Sequence, residues 1–153
     1  MNNHIVKLLS TFLYLGYLPL MPGTFGSAAG VVLFYWLKGS LLGHVLCTLF
    51  LSGLGFLVSS RAEKLFARID PPFIVIDEVS GMLISFLFVP YNIKLLIIGF
   101  FIFRLMDTLK PFPADRIQNA PGSLGIMGDD IVAGFYTNVI LQIVLRCAPL
   151  GSF

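Results

Sequence analysis

Charge is what this chain has least of. Of its 153 residues, 12% are Asp, Glu, Lys or Arg, about half the roughly 25% of an average soluble domain. Hydrophobic residues make up 57%, and the mean hydropathy is +0.91. A soluble monomer of this size cannot hide so much apolar side chain. A water-soluble globular protein is therefore excluded, and so is intrinsic disorder. The 10 basic and 8 acidic residues leave a net charge of +2, too small an excess for a nucleic-acid partner. Cysteine is as scarce. Cys47 and Cys147 sit in apolar segments, show no metal-binding spacing and make no disulfide framework. What remains is an integral membrane protein, one domain over residues 1–153.

The charge-free runs locate its helices. Residues 8–37 and 39–60 carry no charge, residues 79–103 carry only Lys94, and 131–145 carry none. A spanning helix needs about 20 apolar residues. The first run is broken by Pro19-Leu20-Met21-Pro22-Gly23-Thr24, because proline removes a backbone donor and clashes with the preceding turn. The pattern predicts an apolar helix over 4–18 and a second over 24–37. Either the two together make one kinked span or, as we prefer, the first lies on the membrane surface or re-enters and only the second crosses. An uncleaved signal peptide is the plainer alternative, although no small-x-small site follows it. Lys38-Gly39-Ser40 reads as a tight hairpin. Further crossings are predicted over 41–59, 77–89, 93–109 and 129–146. An amphipathic helix over 60–70 and a polar, glycine-bearing loop over 114–128 connect them. The expected fold is all-α: a polytopic membrane bundle of four to five spans with an N-terminal surface or re-entrant helix.

Basic residues orient such a bundle. One face collects Lys7, Arg61, Lys64, Arg68, Arg104, Lys110 and Arg116; the other collects Lys38, Lys94 and Arg146. The first face is expected in the cytoplasm. The acids, which took no part in that assignment, converge on it. Asp77 and Glu78 open one predicted helix, Asp107 ends another, and Asp129 and Asp130 open the last. Each has an ordinary reading as a helix cap or an i,i+3 partner. Five of eight acids at one level of an apolar bundle favour a site instead. Oxygen donors without His or Cys suit Mg²⁺ or Mn²⁺ and not zinc. His44, in apolar surroundings, reads as a packing residue. Asp115–Arg116 reads as a solvated pair.

Two glycine-bearing segments accompany the acids. Pro22-Gly23-Thr24-Phe25-Gly26-Ser27 opens a helix, where free backbone N–H groups can hold an anion. Gly122-Ser123-Leu124-Gly125-Ile126-Met127-Gly128 leads into Asp129. Metal, anion-binding backbone and basic side chains at a lipid interface suggest a phosphorylated lipid head group. Glycines used only for helix packing are the plainer reading. A cation channel or proton-coupled carrier is the rival class, since intramembrane acids serve those too. A carrier would favour mid-membrane polar residues and inverted repeats, whereas these spans are apolar at their centres. No Cys-x5-Arg or Asp-x-Asp-x-Thr run offers a covalent route. The aspartate spacing of CDP-alcohol head-group transferases is missing.

Four stretches, Pro22–Ser27, Asp77–Met82, Phe103–Pro113 and Gly125–Gly134, resemble in order and spacing the phosphatidylglycerophosphatase A family of bacterial Mg²⁺-dependent lipid phosphatases. Three positions depart from the family pattern: Val79-Ser80 stands for Phe-Val, Phe112 for Trp, and Gly122-Ser123 for a Gly-Gly pair. All three spare the charged residues. The resemblance implies hydrolysis of phosphatidylglycerophosphate to phosphatidylglycerol and inorganic phosphate at the bacterial inner membrane. It implies Mg²⁺ ligation by Asp77, Glu78, Asp107, Asp129 and Asp130, with Arg104 and Lys110 as the basic pair. The expected roles follow from charge and chemistry. Glu78 or Asp130 activates water, Arg104 and Lys110 balance the phosphoryl charge, and Gly23, Thr24, Gly26 and Ser27 hold the head group. The acyl chains stay in the bilayer, between helices.

Overall fold

In the computed structural model the chain folds entirely as helices and connecting turns over the described residues, 2–68 and 70–147. Residues 1, 69 and 148–153 of the expected single domain lie outside them. The helices are α1 (Asn3–Ser10), α2 (Pro22–Leu37), α3 (Leu41–Phe66), α4 (Ile76–Ser85), α5 (Ile93–Leu109), α6 (Ala114–Ile117) and α7 (Ser123–Cys147).

The N-terminal helix is shorter than the 4–18 expected. Its eight residues rise about 12 Å, too little to cross a bilayer. Thr11 ends it. The Thr11 hydroxyl donates to the Lys7 carbonyl at 2.7 Å and accepts from the Tyr14 amide at 3.1 Å. This side-chain bonding offers the backbone an alternative to the next helical turn. Phe12, Leu13 and Tyr14 then take positive φ, and a short 3₁₀ turn follows at Leu15–Tyr17. The amide of Val75 donates to the Ser10 carbonyl at 3.0 Å, so the end of α1 is tied to the start of α4.

Two helices, α3 and α7, are long and apolar enough to cross a membrane. Both are longer than the sequence suggested. The predicted boundary at residue 60 does not exist, because α3 runs on through Arg61, Glu63 and Lys64 to Phe66. Charged residues end a lipid-facing stretch but are good helix formers, so the helix continues beyond it. The predicted loop over 114–128 contains α6 and the first six residues of α7. Its glycines serve close approach: a Cβ on Gly125 would overlap the Ala120 carbonyl, and one on Gly128 the Ile117 side chain. Outward faces are apolar along their length, with Leu42, Leu46, Leu49 and Phe50 of α3 and Ile97 and Phe101 of α5 more than half exposed. Apolar surface that extensive marks contact with lipid or protein rather than water.

Helix α4 is the axis of the molecule, packed by α2, α3, α5 and α7. It ends at Ser85, four residues before the predicted end, and rises only about 15 Å. At its C-terminal end the Phe86 and Leu87 amides donate back to Leu83 O and Ile84 O at 3.2 and 3.1 Å, and side chains of neighbouring helices add further partners. His44 Nε2 donates to Leu83 O at 3.0 Å. Asn138 Nδ2 donates to Ser85 O at 3.0 Å and Leu87 O at 2.7 Å. Gln142 reaches Phe88 O at 3.3 Å. A helix can stop inside an apolar bundle only where its freed backbone groups are satisfied in this way. His44 also packs against Phe34 with the rings tilted by 57°, 5.1 Å between centroids, as a packing residue should.

Small residues bring α4 against its neighbours. Gly23, Gly26 and Gly30 form one stripe of α2 facing Glu78, Val75 and Met82. Across α4, Gly81 faces the backbone of α7 at Asp130, and Gly134 faces the backbone of α4 at Gly81. Such contacts let helix axes approach closely where apolar burial alone gives no driving force.

Candidate active site

The parallel course of α2, α4 and α7 puts their N-terminal ends at one level, and the C-terminal end of α5 joins them. All five acids singled out in the sequence meet there, with both basic residues. Asp77 and Glu78 stand in the first turn of α4, where the helix dipole favours negative charge. Asp130 stands in the second turn of α7, not at its cap, since that helix starts at Ser123. One oxygen from each of Asp77, Glu78 and Asp130 lies within 4.8 Å of the other two.

The remaining two acids are paired. Asp107, in the last turn of α5, accepts from Arg104 Nη1 at 2.8 Å. Asp129 accepts from Lys110 Nζ. Lys110 ends α5 with a positive φ and its amide on Met106 O, and the turn aims its side chain across to α7. Burial disfavours charge on Lys110. Its bond to Asp129 and the charges of Asp129, Asp130 and Asp107 outweigh that, so its pKa stands above the ordinary lysine value. The following Pro111–Pro113 segment is held by the Tyr136 hydroxyl, which donates to Phe112 O at 2.6 Å.

Three carboxylates thus crowd together, and the basic side chains beside them, Arg104 and Lys110, are salt-bridged to Asp107 and Asp129. Local bonds satisfy part of them: Asp77 Oδ1 accepts from the Glu78 amide and Asp129 Oδ1 from the Asp130 amide, each at 3.0 Å. Glu78 Oε2 is buried and has no hydrogen-bond partner among the described residues. An orphaned buried carboxylate oxygen is costly unless something neutralises it. An oxygen-only donor set around it suits a hard divalent cation, so the residues present fit the Mg²⁺ expected from the sequence.

The α2 segment supplies the wall. Gly23 lies so near that a Cβ there would overlap Glu78 Oε1 and stand 3.3 Å from Arg104 Nη1. Ser27 is fully buried. Its hydroxyl donates to Gly23 O at 2.9 Å and accepts from Arg104 Nη1 at 3.4 Å. Ser27 therefore touches the centre through Arg104. Gly26 packs on Val75 and Glu78, and Thr24 is half-buried on the first turn of α2. Asp115 and Arg116 lie on α6, where Arg116 sits over the Phe112 ring at 5.0 Å. Two positions with a hand in this geometry were given no role in the sequence, Gly81 and Gly134. Both stand inside the quoted stretches, but a glycine's contact across a helix pair leaves no mark in spacing alone.

An acidic cluster flanked by Arg and Lys stands at one end of an apolar all-helical bundle, the make-up of a membrane protein with a polar centre. The chain belongs to the phosphatidylglycerophosphatase A family, whose pattern matches residues 8–145. It is 35% identical over 140 residues to the phosphatidylglycerophosphatase A of Escherichia coli K12, covering 89% of this chain and 81% of that protein. The protein of that name from Haemophilus influenzae Rd is 33% identical over 128 residues, 78% of this chain and 76% of its own. A Bacteroides thetaiotaomicron protein with the provisional name phosphatidylinositol-3-phosphatase is 30% identical over 138 residues, 84% and 86% of the two chains. No solved structure gives a significant match. The family lends no support to the carrier reading.

Proposed function

We infer that the protein hydrolyses phosphatidylglycerophosphate to phosphatidylglycerol and inorganic phosphate. The observation that carries this, beside the family, is the buried trio Asp77, Glu78 and Asp130 with Arg104 and Lys110 at its edge. In this reading Asp77, Glu78 and Asp130 hold Mg²⁺, with Asp107 and Asp129 as further ligands. Bound there, the ion supplies Lewis-acid charge and lowers the pKa of water.

The chain's own groups do the rest. Arg104, held between Asp107 and Ser27, offers its planar fork to two phosphate oxygens, and Lys110 adds a point charge. Glu78 or Asp130 takes a proton from the attacking water. The new P–O bond forms as the bond to the glycerol oxygen breaks, and that oxygen takes up a proton as it leaves. Gly23, Thr24 and Gly26 border the head group along the first turn of α2, at the positive end of the helix dipole. Ser27 fixes the Arg104 guanidinium.

The test is phosphate release from phosphatidylglycerophosphate in detergent micelles, with and without MgCl₂, beside phosphatidylinositol 3-phosphate. The expected result is Mg²⁺-dependent release from the first substrate, abolished by EDTA and restored by Mg²⁺. Undiminished turnover in EDTA would remove the metal from the reading, and release from the inositol lipid alone would replace the substrate.

In the membrane, α2, α3, α5 and α7 are the crossings, and α4 with the segment after it completes a fifth passage inside the protein. α1 lies at the cytoplasmic face of the bacterial inner membrane, and the acidic centre opens to that side. The seven-to-three bias of Lys and Arg supports this orientation. A cysteine placed at Gln118, exposed just after α6, should then react with an impermeant reagent from the cytoplasmic side, and one at Ser40 or Asn92 from the opposite side. Labelling of Ser40→Cys and Gln118→Cys from one side would overturn the topology.

A further inference from the structure

A groove of about 330 Å³ runs between α2 and α5, and every residue lining it is apolar. Its walls are Ala28, Val31 and Val32 from α2, and Ile97, Phe100 and Phe101 from α5, reaching down to Ile93. Helical spacing ties it to the acidic centre. Ala28 is one turn below Thr24, and Val31 and Val32 one turn below Ala28. Arg104 is one turn above Phe100 and Phe101 on the same face of α5. The two helices are bridged at the head of the groove by the Arg104–Ser27 bond. The groove therefore starts where the phosphate-binding residues end and extends about 12 Å along α5, from Phe101 to Ile93.

We propose that this groove seats one acyl chain of the lipid substrate. The proposal rests on the lipid-phosphatase reading and gives that reading a second contact. A chain entering here has its glycerol end level with Thr24 and Arg104 and its phosphate level with the acids. A comparable apolar groove of about 340 Å³ lies between α1 and α3, lined by Leu8, Phe12, Phe50 and Leu54 among others. That groove meets the acid-bearing α4 at Ile76 alone, and neither α1 nor α3 carries Arg104 or Lys110. The α2–α5 groove is headed by the Arg104–Ser27 bond, which is why it is the seat. Lipid tails are as apolar as the groove, so moving a tail into it gains little from hydrophobicity. What the groove gives is position. A tail held along α2 and α5 fixes the lateral placement of the head group, and placement is worth a large factor in rate.

The experiment fills the groove. Ala28→Phe and Ile97→Trp are compared with wild type and with Phe50→Trp, a control in the α1–α3 groove. Each is assayed on dioleoyl and on dihexanoyl phosphatidylglycerophosphate in the same detergent, and size-exclusion profiles record folding and oligomeric state. The two groove variants are expected to lose roughly tenfold or more in kcat/KM on the dioleoyl substrate. On the dihexanoyl substrate they should stay within about twofold, because six carbons fill little of a 12 Å groove. Phe50→Trp should match wild type on both. Equal losses on the two substrates, or no loss on either, overturn the proposal. So does a change of oligomeric state at unchanged chain-length preference, which would assign the groove to a second copy of the chain. Wild type that releases phosphate from neither substrate would instead refute the phosphatase reading.

Discussion

Glu78→Gln is expected to lower kcat by about three orders of magnitude while leaving the protein folded in its membrane. Three orders correspond to about 4 kcal/mol at 1.4 kcal/mol per tenfold, within the several kcal/mol that one ligand of a metal-assisted phosphoryl site supplies. The sign of the stability change separates a functional acid from a structural one. Glu78 Oε2 is buried and unpartnered, and its carboxylate shares one small volume with those of Asp77 and Asp130. In EDTA the amide relieves the crowding of three carboxyl groups and breaks no salt bridge found among the described residues. The melting temperature should hold or rise. In MgCl₂ wild type should gain stability by binding the ion, and Glu78→Gln should lose most of that gain. Asp115→Asn, on α6 and outside the cluster, should change turnover less than about twofold, as exposed substitutions generally do. Normal turnover of Glu78→Gln at saturating Mg²⁺ would falsify the assignment, as would a large loss of stability in EDTA without loss of activity.

Asp107 reaches the same conclusion from the opposite physics. It stands in the last turn of α5, where the helix dipole disfavours a carboxylate by roughly 0.3–1 kcal/mol. Its pairing with Arg104 offsets that locally. The pair is doing more than capping, because the same guanidinium is held on its other side by Ser27 of α2. The guanidinium is thereby fixed from two helices, in the way that buried polar networks specify one geometry.

The site was legible in the sequence for a reason specific to membranes. In an apolar chain a charge is informative wherever it occurs, so acids at the ends of charge-free runs mark both the helix boundaries and the level of the site. Asp77, Glu78, Arg104, Asp107, Lys110, Asp129 and Asp130 could all be placed on that argument. What the pattern left out is how they divide. Spacing does not distinguish the trio Asp77, Glu78 and Asp130 from the paired Asp107 and Asp129, because the division depends on where the Lys110 turn points. Charge also misplaced two boundaries. Arg61 and Lys64 looked like the end of a span and are the last turns of α3. Gly125 and Gly128 looked like a loop and lie inside α7. In both cases the helix outlasts its lipid-facing stretch, so its hydropathy ends before its hydrogen bonding does. The early end of α4 had no local signal at all. The carbonyls at its end and just beyond accept from His44, Asn138 and Gln142, residues 39 to 55 positions away in the chain.

The crossing of α4 and α7 governs the trio, since Asp77 and Glu78 come from one helix and Asp130 from the other. At that crossing a Cβ on Gly81 would stand 2.6 Å from the Asp130 carbonyl and 2.8 Å from the Phe103 ring. A Cβ on Gly134 would overlap the Gly81 carbonyl and lie 3.1 Å from its carbon. The Asp130 and Gly81 carbonyls are backbone, so no rotamer change makes room there and the helices must part. Gly134→Ala is therefore expected to destabilise the protein by about 1–3 kcal/mol, the usual range for overpacking. Its effect on rate should be larger than its effect on stability suggests. A displacement of roughly 1 Å between catalytic groups can cost on the order of a hundredfold, so kcat per folded molecule should fall by about that factor. Gly81→Ala should do the same, and the double variant should show no simple sum, because both act on one contact. Gly53→Ala is the control. Nothing lies within 4 Å of a Cβ there, and in mid-α3 alanine should stabilise by roughly 0.5–1 kcal/mol. Melting temperatures and turnover normalised to folded protein decide the matter. If Gly134→Ala keeps wild-type kcat with a lowered melting temperature, the crossing serves stability alone and the trio's geometry is set elsewhere.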